Sequence, residues 1–139
     1  MTIAIAHQPS AIGHLALSEA AQEASLRNTS LTVIQVTDTV DLDKTEAHTA
    51  GLSDEVASVL AEAGIEDVQW NLQLAVADGL ENTADTILEL AGKSGAELLV
   101  IGARRRSPVG KLLLGSLTQS LILNADMPVL VVKMTANGS

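Results

Sequence analysis

Cysteine, phenylalanine and tyrosine are missing from this 139-residue chain, and Trp70 is its one aromatic residue. Without cysteine there are no disulfides and no thiolate chemistry. Without aromatic side chains there is no platform for stacking successive bases, which argues against single-stranded nucleic acid as a ligand. Basic residues are scarce as well: eight Lys and Arg stand against seventeen Asp and Glu, for a net charge of −9. That balance disfavours broad contact with a phosphate backbone. No apolar run is long enough to cross a bilayer, and no basic segment followed by an apolar stretch opens the chain. A soluble cytoplasmic protein is expected, with neither nucleic acid nor membrane as partner. What the chain does have is aliphatic: hydrophobic residues make up 47% of it. The length suits one domain with a single substantial core. That domain is taken as residues 1–134, with 135–139 as a flexible C-terminal tail.

Short β-branched runs alternate with helical periodicity. Thr2 to Ala6 reads as a strand, closed by Pro9 and Ser10. From Ala11 to Leu26, Ile12, Leu15, Ala16, Ala20, Ala21 and Ala24 recur at the spacing of an amphipathic helix. Leu31 to Val36 is a second strand. Thr37 to Gly51, with Asp38, Asp41, Asp43, Lys44 and Glu46, is polar enough for a connection. Leu52 to Ala63 is a second helix, stopped by Gly64. Val68 to Val76 alternates apolar with polar residues, which marks a strand with one wetter face near a sheet edge. A third helix spans Leu80 to Lys93, with Gly92 or Gly95 at its end. A buried strand over 97–101, a loop, a helix ending near Asn124 and a last strand from Val129 to Lys133 follow. This order predicts a doubly wound α/β fold: a five-stranded, mainly parallel, Rossmann-like sheet with helices on both faces. Ligands of such sheets sit beyond the carboxyl ends of the strands, where the strand order reverses. Gln8 and Gly102, at the ends of the first and fourth strands, mark the expected crevice.

Gly102 to Leu117, Gly-Ala-Arg-Arg-Arg-Ser-Pro-Val-Gly-Lys-Leu-Leu-Leu-Gly-Ser-Leu, joins a buried strand to a helix. Four of the eight basic residues, Arg104, Arg105, Arg106 and Lys111, fall here, and no acidic residue lies between Leu98 and Ala125. An acidic protein with one basic island keeps it where an anion comes. Glycines bring the main chain close to a ligand. A helix start adds free N–H groups and a partial positive charge. One or two of the arginines are expected to face the anion and the rest water. Arg106-Ser107-Pro108 reads as a turn. Ser116 suits two roles equally, phosphate ligand or N-cap of the last helix.

Other chemistry is poorly represented. His7, His14 and His48 show no metal spacing, and a metal site needs converging ligands. Asp38, Asp41 and Asp43 lack the Gly and distal Glu of a calcium loop and read as an exposed acidic segment. Trp70 reads as a core or edge-strand filler. There is no Gly-x-Ser-x-Gly elbow, no Ser–His–Asp order and no Walker-type lysine. No general base can be named, so the chain is not read as an enzyme.

From Ile3 to Lys133 the chain resembles the universal stress proteins. Gly102, Gly115 and Ser116 fall in register with that family's Gly-x2-Gly-x9-Gly-(Ser/Thr) fingerprint, and Arg105 takes the second Gly position. Gly79 ahead of the Ile87–Ala91 helix, the run Gly95-Ala96-Glu97-Leu98-Leu99-Val100-Ile101-Gly102 and Met127-Pro128-Val129-Leu130-Val131-Val132 are similar too. The nucleotide-binding branch ends its first strand with an Asp two residues before a Ser. Here Ser10 matches the Ser and Gln8 takes the Asp position.

The resemblance implies a fold like that of the adenine nucleotide alpha hydrolases. It places Gln8 near the adenosine and Val36 against adenine through its main chain. Gly102, Gly115, Ser116 and Leu117 would line the ribose–phosphate path, with Arg104 and Arg105 toward phosphate. Gln8 keeps both donor and acceptor capacity. Arg105 in a left-handed backbone would carry about 1–2 kcal/mol of strain, which a charge-assisted phosphate contact offsets. The implied ligand is ATP or another adenine nucleotide, with magnesium only in the nucleotide's company. As an open edge, Val129–Val132 invites uncontrolled pairing. Two copies pairing these strands antiparallel form a two-fold homodimer through 129–133, as the family commonly does. The expected function is a stress-response module switched by nucleotide. The alternative is a nucleotide-free interaction module whose basic loop binds an anion.

Overall fold

The computed structural model describes residues 1–8, 10–37, 42–103 and 115–133, with the backbone alone over 42–47. Five strands alternate with four helices: β1 (Thr2–Ala6), α1 (Ala11–Leu26), β2 (Ser30–Thr37), α2 (Leu42–Glu62), β3 (Trp70–Val76), α3 (Leu80–Lys93), β4 (Ala96–Ala103), α4 (Ser116–Asn124) and β5 (Val129–Lys133). The sheet order is β3-β2-β1-β4-β5, and every neighbouring pair is parallel. The α/β doubly wound fold is as the sequence predicts. The sheet is wholly rather than mainly parallel.

Side-chain alternation divides the core into two layers. Ile3, Ile5, Leu31, Val33 and Val100 point to one face, where Leu17 of α1 and Val56 of α2 cover them. Ala4, Ile34, Leu99 and Ile101 point to the other, beneath Ile87 of α3 and Leu121 of α4. With Trp70 the only aromatic ring available to fill space, the layers must approach closely. α1 manages this with alanine: Ala16, Ala20, Ala21 and Ala24 are at most 1% exposed. β4, between β1 and β5, is buried on both sides from Leu98 to Ile101, as its unbroken apolar run requires. β3 lies at one edge, and its alternation breaks at Gln73: Trp70, Leu72, Gln73 and Ala75 are half-buried while Leu74 and Val76 are exposed; Trp70 packs against the α1–α2 layer.

The helix ends show which glycines act as stops. Gly64 and Gly95 adopt φ of 71° and 75°, the left-handed turn that terminates a helix at little steric cost to glycine. Gly92 does not take part, although its spacing suited the role. The main departure is α2, which begins at Leu42 rather than Leu52. The polar stretch read as a connection is therefore helical from Leu42 onward. A helix on the outer layer needs only a narrow apolar stripe, here Leu52, Val56, Val59 and Leu60, and its remaining turns can be polar. The expected tail and the arginine loop, including Arg104, Arg105, Arg106 and Lys111, lie outside the described residues. No helix among the described residues is long and apolar enough to cross a membrane.

Candidate functional site

Strand order reverses between β1 and β4: β1 is followed in sequence by β2 on one side, while β4 and then β5 extend the sheet on the other. Connections leave in opposite directions at that point, so the carboxyl ends of β1 and β4 are left uncovered. A cleft occupies the gap, enclosing ≈ 450 Å³ of space that is partly open solvent. Its wall is apolar, formed by Ala6, Ile34, Val36, Ile87, Ile101, Leu117 and Leu121. Its rim is polar, with Gln8, Thr83 and Thr118. Of the sequence-predicted residues, Gln8, Val36, Gly102 and Leu117 all line it. Arg104 and Arg105 lie outside the described residues, and no lysine or arginine is in the described lining.

Two backbone features give the cleft hydrogen-bonding capacity. Ile34 O accepts from His7 N–H at 2.9 Å, so even-numbered β2 residues turn their main chain toward β1. Leu31 N–H donates to Gln69 O at 2.9 Å, so odd-numbered residues turn toward β3. Val36 is the next even position after Ile34, where β1 has ended, and its main-chain edge faces the cleft. At the opposite wall α4 starts. Its first intrahelical bond runs from Gln119 N–H to Gly115 O at 3.0 Å. The amides of Ser116, Leu117 and Thr118 precede that bond and have no backbone acceptor among the described residues.

The glycines play different parts. Gly115, not Ser116, is the N-cap of α4, and as a glycine it offers no side-chain cap. Ser116 thus sits in the first turn with its hydroxyl uncommitted to capping. Among the described residues a Cβ at Gly115 would meet nothing within 4 Å, and its φ of −64° does not demand glycine. Gly102 is packed: a Cβ there would stand 3.0 Å from Ile12 Cγ1 and 3.3 Å from Ile12 O. Its missing side chain lets α1 close on β4. Gly13, which carries no signal in the sequence pattern, is more stringent. A Cβ at Gly13 would lie 1.6 Å from Gln8 O. Ser10 caps α1 by accepting Gly13 N–H at 3.1 Å, so the β1–α1 bend folds tightly over that glycine.

His7 also lines the cleft, and its imidazole is buried beside Glu55 of α2. Its Nε2 is 3.2 Å from Glu55 Oε1, but the approach lacks hydrogen-bond alignment, and Nδ1 has no partner among the described residues. Burial pushes the His7 imidazole below its ordinary pKa, and the neighbouring Glu55 carboxylate only partly opposes this. Glu55 Oε1 also lies 2.5 Å from His14 Nε2. Glu55 is invisible as a functional candidate in the sequence, where it is one acid among many. Among the described residues no three His, Cys, Asp or Glu are arranged to hold a metal ion.

The family model described as the universal stress protein family matches residues 1–133. A universal stress protein of Mycolicibacterium smegmatis is 35% identical over 132 residues, which cover 94% of this chain and 96% of the relative. The universal stress protein structure from Archaeoglobus fulgidus superposes with a TM-score of 0.74 at 29% identity, covering 96% of this chain and 98% of that one. A structure of the protein from the same organism in complex with dAMP has a TM-score of 0.72 at 24% identity, with the same coverage. The parallel β3-β2-β1-β4-β5 sheet, the β1–β4 cleft and a match running from the first residue to the end of β5 place this chain in the universal stress protein family.

Proposed function

We propose that this protein is a dimeric stress-response switch that binds an adenine nucleotide, ATP in the leading reading, in the β1–β4 cleft. One observation carries the reading: an apolar wall lies between an exposed main-chain edge at Val36 and the open amides of Ser116, Leu117 and Thr118. A purine suits the apolar wall, its edge can pair with the Val36 main chain, and phosphate suits the start of α4. The dAMP complex of the Archaeoglobus fulgidus relative supports an adenine ligand. Arg104 and Arg105 supply the positive charge that the described lining lacks, Gln8 holds the ribose side, and magnesium enters only with a polyphosphate. Binding acts as a signal, with hydrolysis at most slow.

Calorimetric titration with ATP, ADP, AMP, dAMP and cyclic AMP, with and without magnesium, tests this. Gly115→Ala and Ser116→Ala are expected to weaken binding by at least about threefold while keeping the wild-type melting temperature within a few degrees, since neither position is packed. No heat and no thermal shift with any nucleotide would abandon the reading. The neutral Gln8 at the carboxylate position favours a second one, an interaction module with an anion site. Heat from pyrophosphate that the nucleosides do not augment would select it.

A further inference from the structure

His7, Glu55 and His14 form a cluster that nucleotide binding does not use. The His7 side chain is wholly removed from water, and the Glu55 oxygen facing it is the one that meets His14. One carboxylate thereby joins the end of β1 to α1 and α2. The β1–β2 register sets Gln35 beside His7 on the same side of the sheet, and Gln35 Oε1 also lacks a partner among the described residues. A buried imidazole with both nitrogens unaligned, a carboxylate within reach and a second imidazole competing for it is a two-position arrangement.

We propose that His7, Glu55 and His14 form a proton-operated latch that fastens α2 to α1 and to the end of β1. With His7 neutral, Glu55 is committed to His14 and holds the two helices together. A proton on His7 creates a cation shielded from water. Glu55 is the anion within its reach among the described residues, so the carboxylate turns to His7, gives up His14, and α2 loosens from α1. Among the described residues, few groups face His7. α2 supplies Glu55, and its His48, Asp54 and Glu62 are exposed. α1 supplies His14, with Glu19 and Glu23 further along the helix. β2 and β4 present neutral Gln35 and Gly102. Burial, which keeps His7 neutral at neutral pH, puts the change on the acid side of about 6.5. His7 and the following Gln8 both border the cleft, so the latch also gates the nucleotide site. This last consequence rests on the nucleotide reading above.

Side-chain NMR of the histidines and amide-exchange protection factors across α2, both followed from about pH 8 to about pH 5 without nucleotide, test the latch directly. Protection around Glu55 is expected to fall by about tenfold over the interval in which His7 titrates. Glu55→Gln removes the counter-charge and is expected to move that step to lower pH. His7→Leu is expected to abolish it. Constant α2 protection while His7 titrates, or a step that persists unmoved in either variant, overturns the proposal, and the wild-type titration decides even if His7→Leu does not fold. Titration with dAMP at both ends of the range is expected to show at least threefold weaker binding in acid for wild type and not for His7→Leu. Equal dAMP affinity in acid and base overturns the gating of the cleft. Absence of dAMP binding at every pH removes the nucleotide reading, and the exchange data then judge the latch alone.

Discussion

Gly13 has no room for a side chain, because the atom it would strike is the main-chain oxygen of Gln8 and not a movable side-chain tip. Gly13→Ala must shift the β1–α1 junction and is expected to lower stability by about 1–3 kcal/mol, read by urea denaturation. Gly51→Ala is the matching control: it lies inside α2 with nothing within 4 Å. There the gain in helix propensity should raise stability by about 0.5–1 kcal/mol. The two glycines look alike in the sequence, and only the chain crossing overhead separates them. His7 makes a pH prediction at the same scale. Unfolded, it takes a proton near its ordinary pKa of 6.5; folded, desolvation lowers that value. Between the two the unfolded chain binds more protons, so stability must fall as pH drops below about 6.5. Comparison of unfolding free energies at about pH 7.5 and about pH 5.5 should show a smaller acid loss in His7→Leu than in wild type. An equal loss would refute the assignment.

Among the elements, β5 gives a prediction that follows from its register. Leu99 N–H donates to Pro128 O at 2.9 Å, and Leu99 pairs with Val129. Even-numbered β5 residues thus turn their main chain to β4, and Val129 and Val131 turn theirs to the free edge. If two copies join through these edges, Val131→Pro removes an outward N–H without breaking the β4–β5 ladder. It is expected to convert a dimer to a monomer in sedimentation, with the far-ultraviolet circular dichroism unchanged. A dimer that survives this change places the interface elsewhere. The strands and α1 were legible because their apolar periods are clean. The first turns of α2 were not, since an outer helix with a narrow stripe looks like a polar connection until the sheet beneath it is known. The N-cap of α4 was one residue from the Ser116 alternative, because Gly115 and Ser116 both suit a cap by residue type.

For the whole molecule, the cleft exists because the connections leaving the paired strands β1 and β4 run in opposite directions. A ligand bound there, and not to the unfolded chain, raises stability by about 2.7 kcal/mol at a hundredfold excess over its Kd. Thermal unfolding with increasing ATP should therefore show a continuous rise in Tm that follows the calorimetric affinity. Added salt should weaken binding, because it screens the expected arginine–phosphate contacts. A Tm independent of nucleotide at concentrations that saturate the calorimeter would show that the heat comes from elsewhere.

The order of strands and helices, the aliphatic core and the positions of Gln8 and Gly102 at one crevice followed from the sequence, because hydrophobic period and strand–loop–helix punctuation are local properties; Val36 and Leu117 were implied by the family resemblance. The fingerprint that names the family is local too. Tertiary structure alone decided which glycine is sterically obligatory, which main-chain edge Val36 presents, and that Glu55 meets two histidines more than forty residues away. Those facts depend on distances between segments remote in the chain, and no spacing along it encodes them.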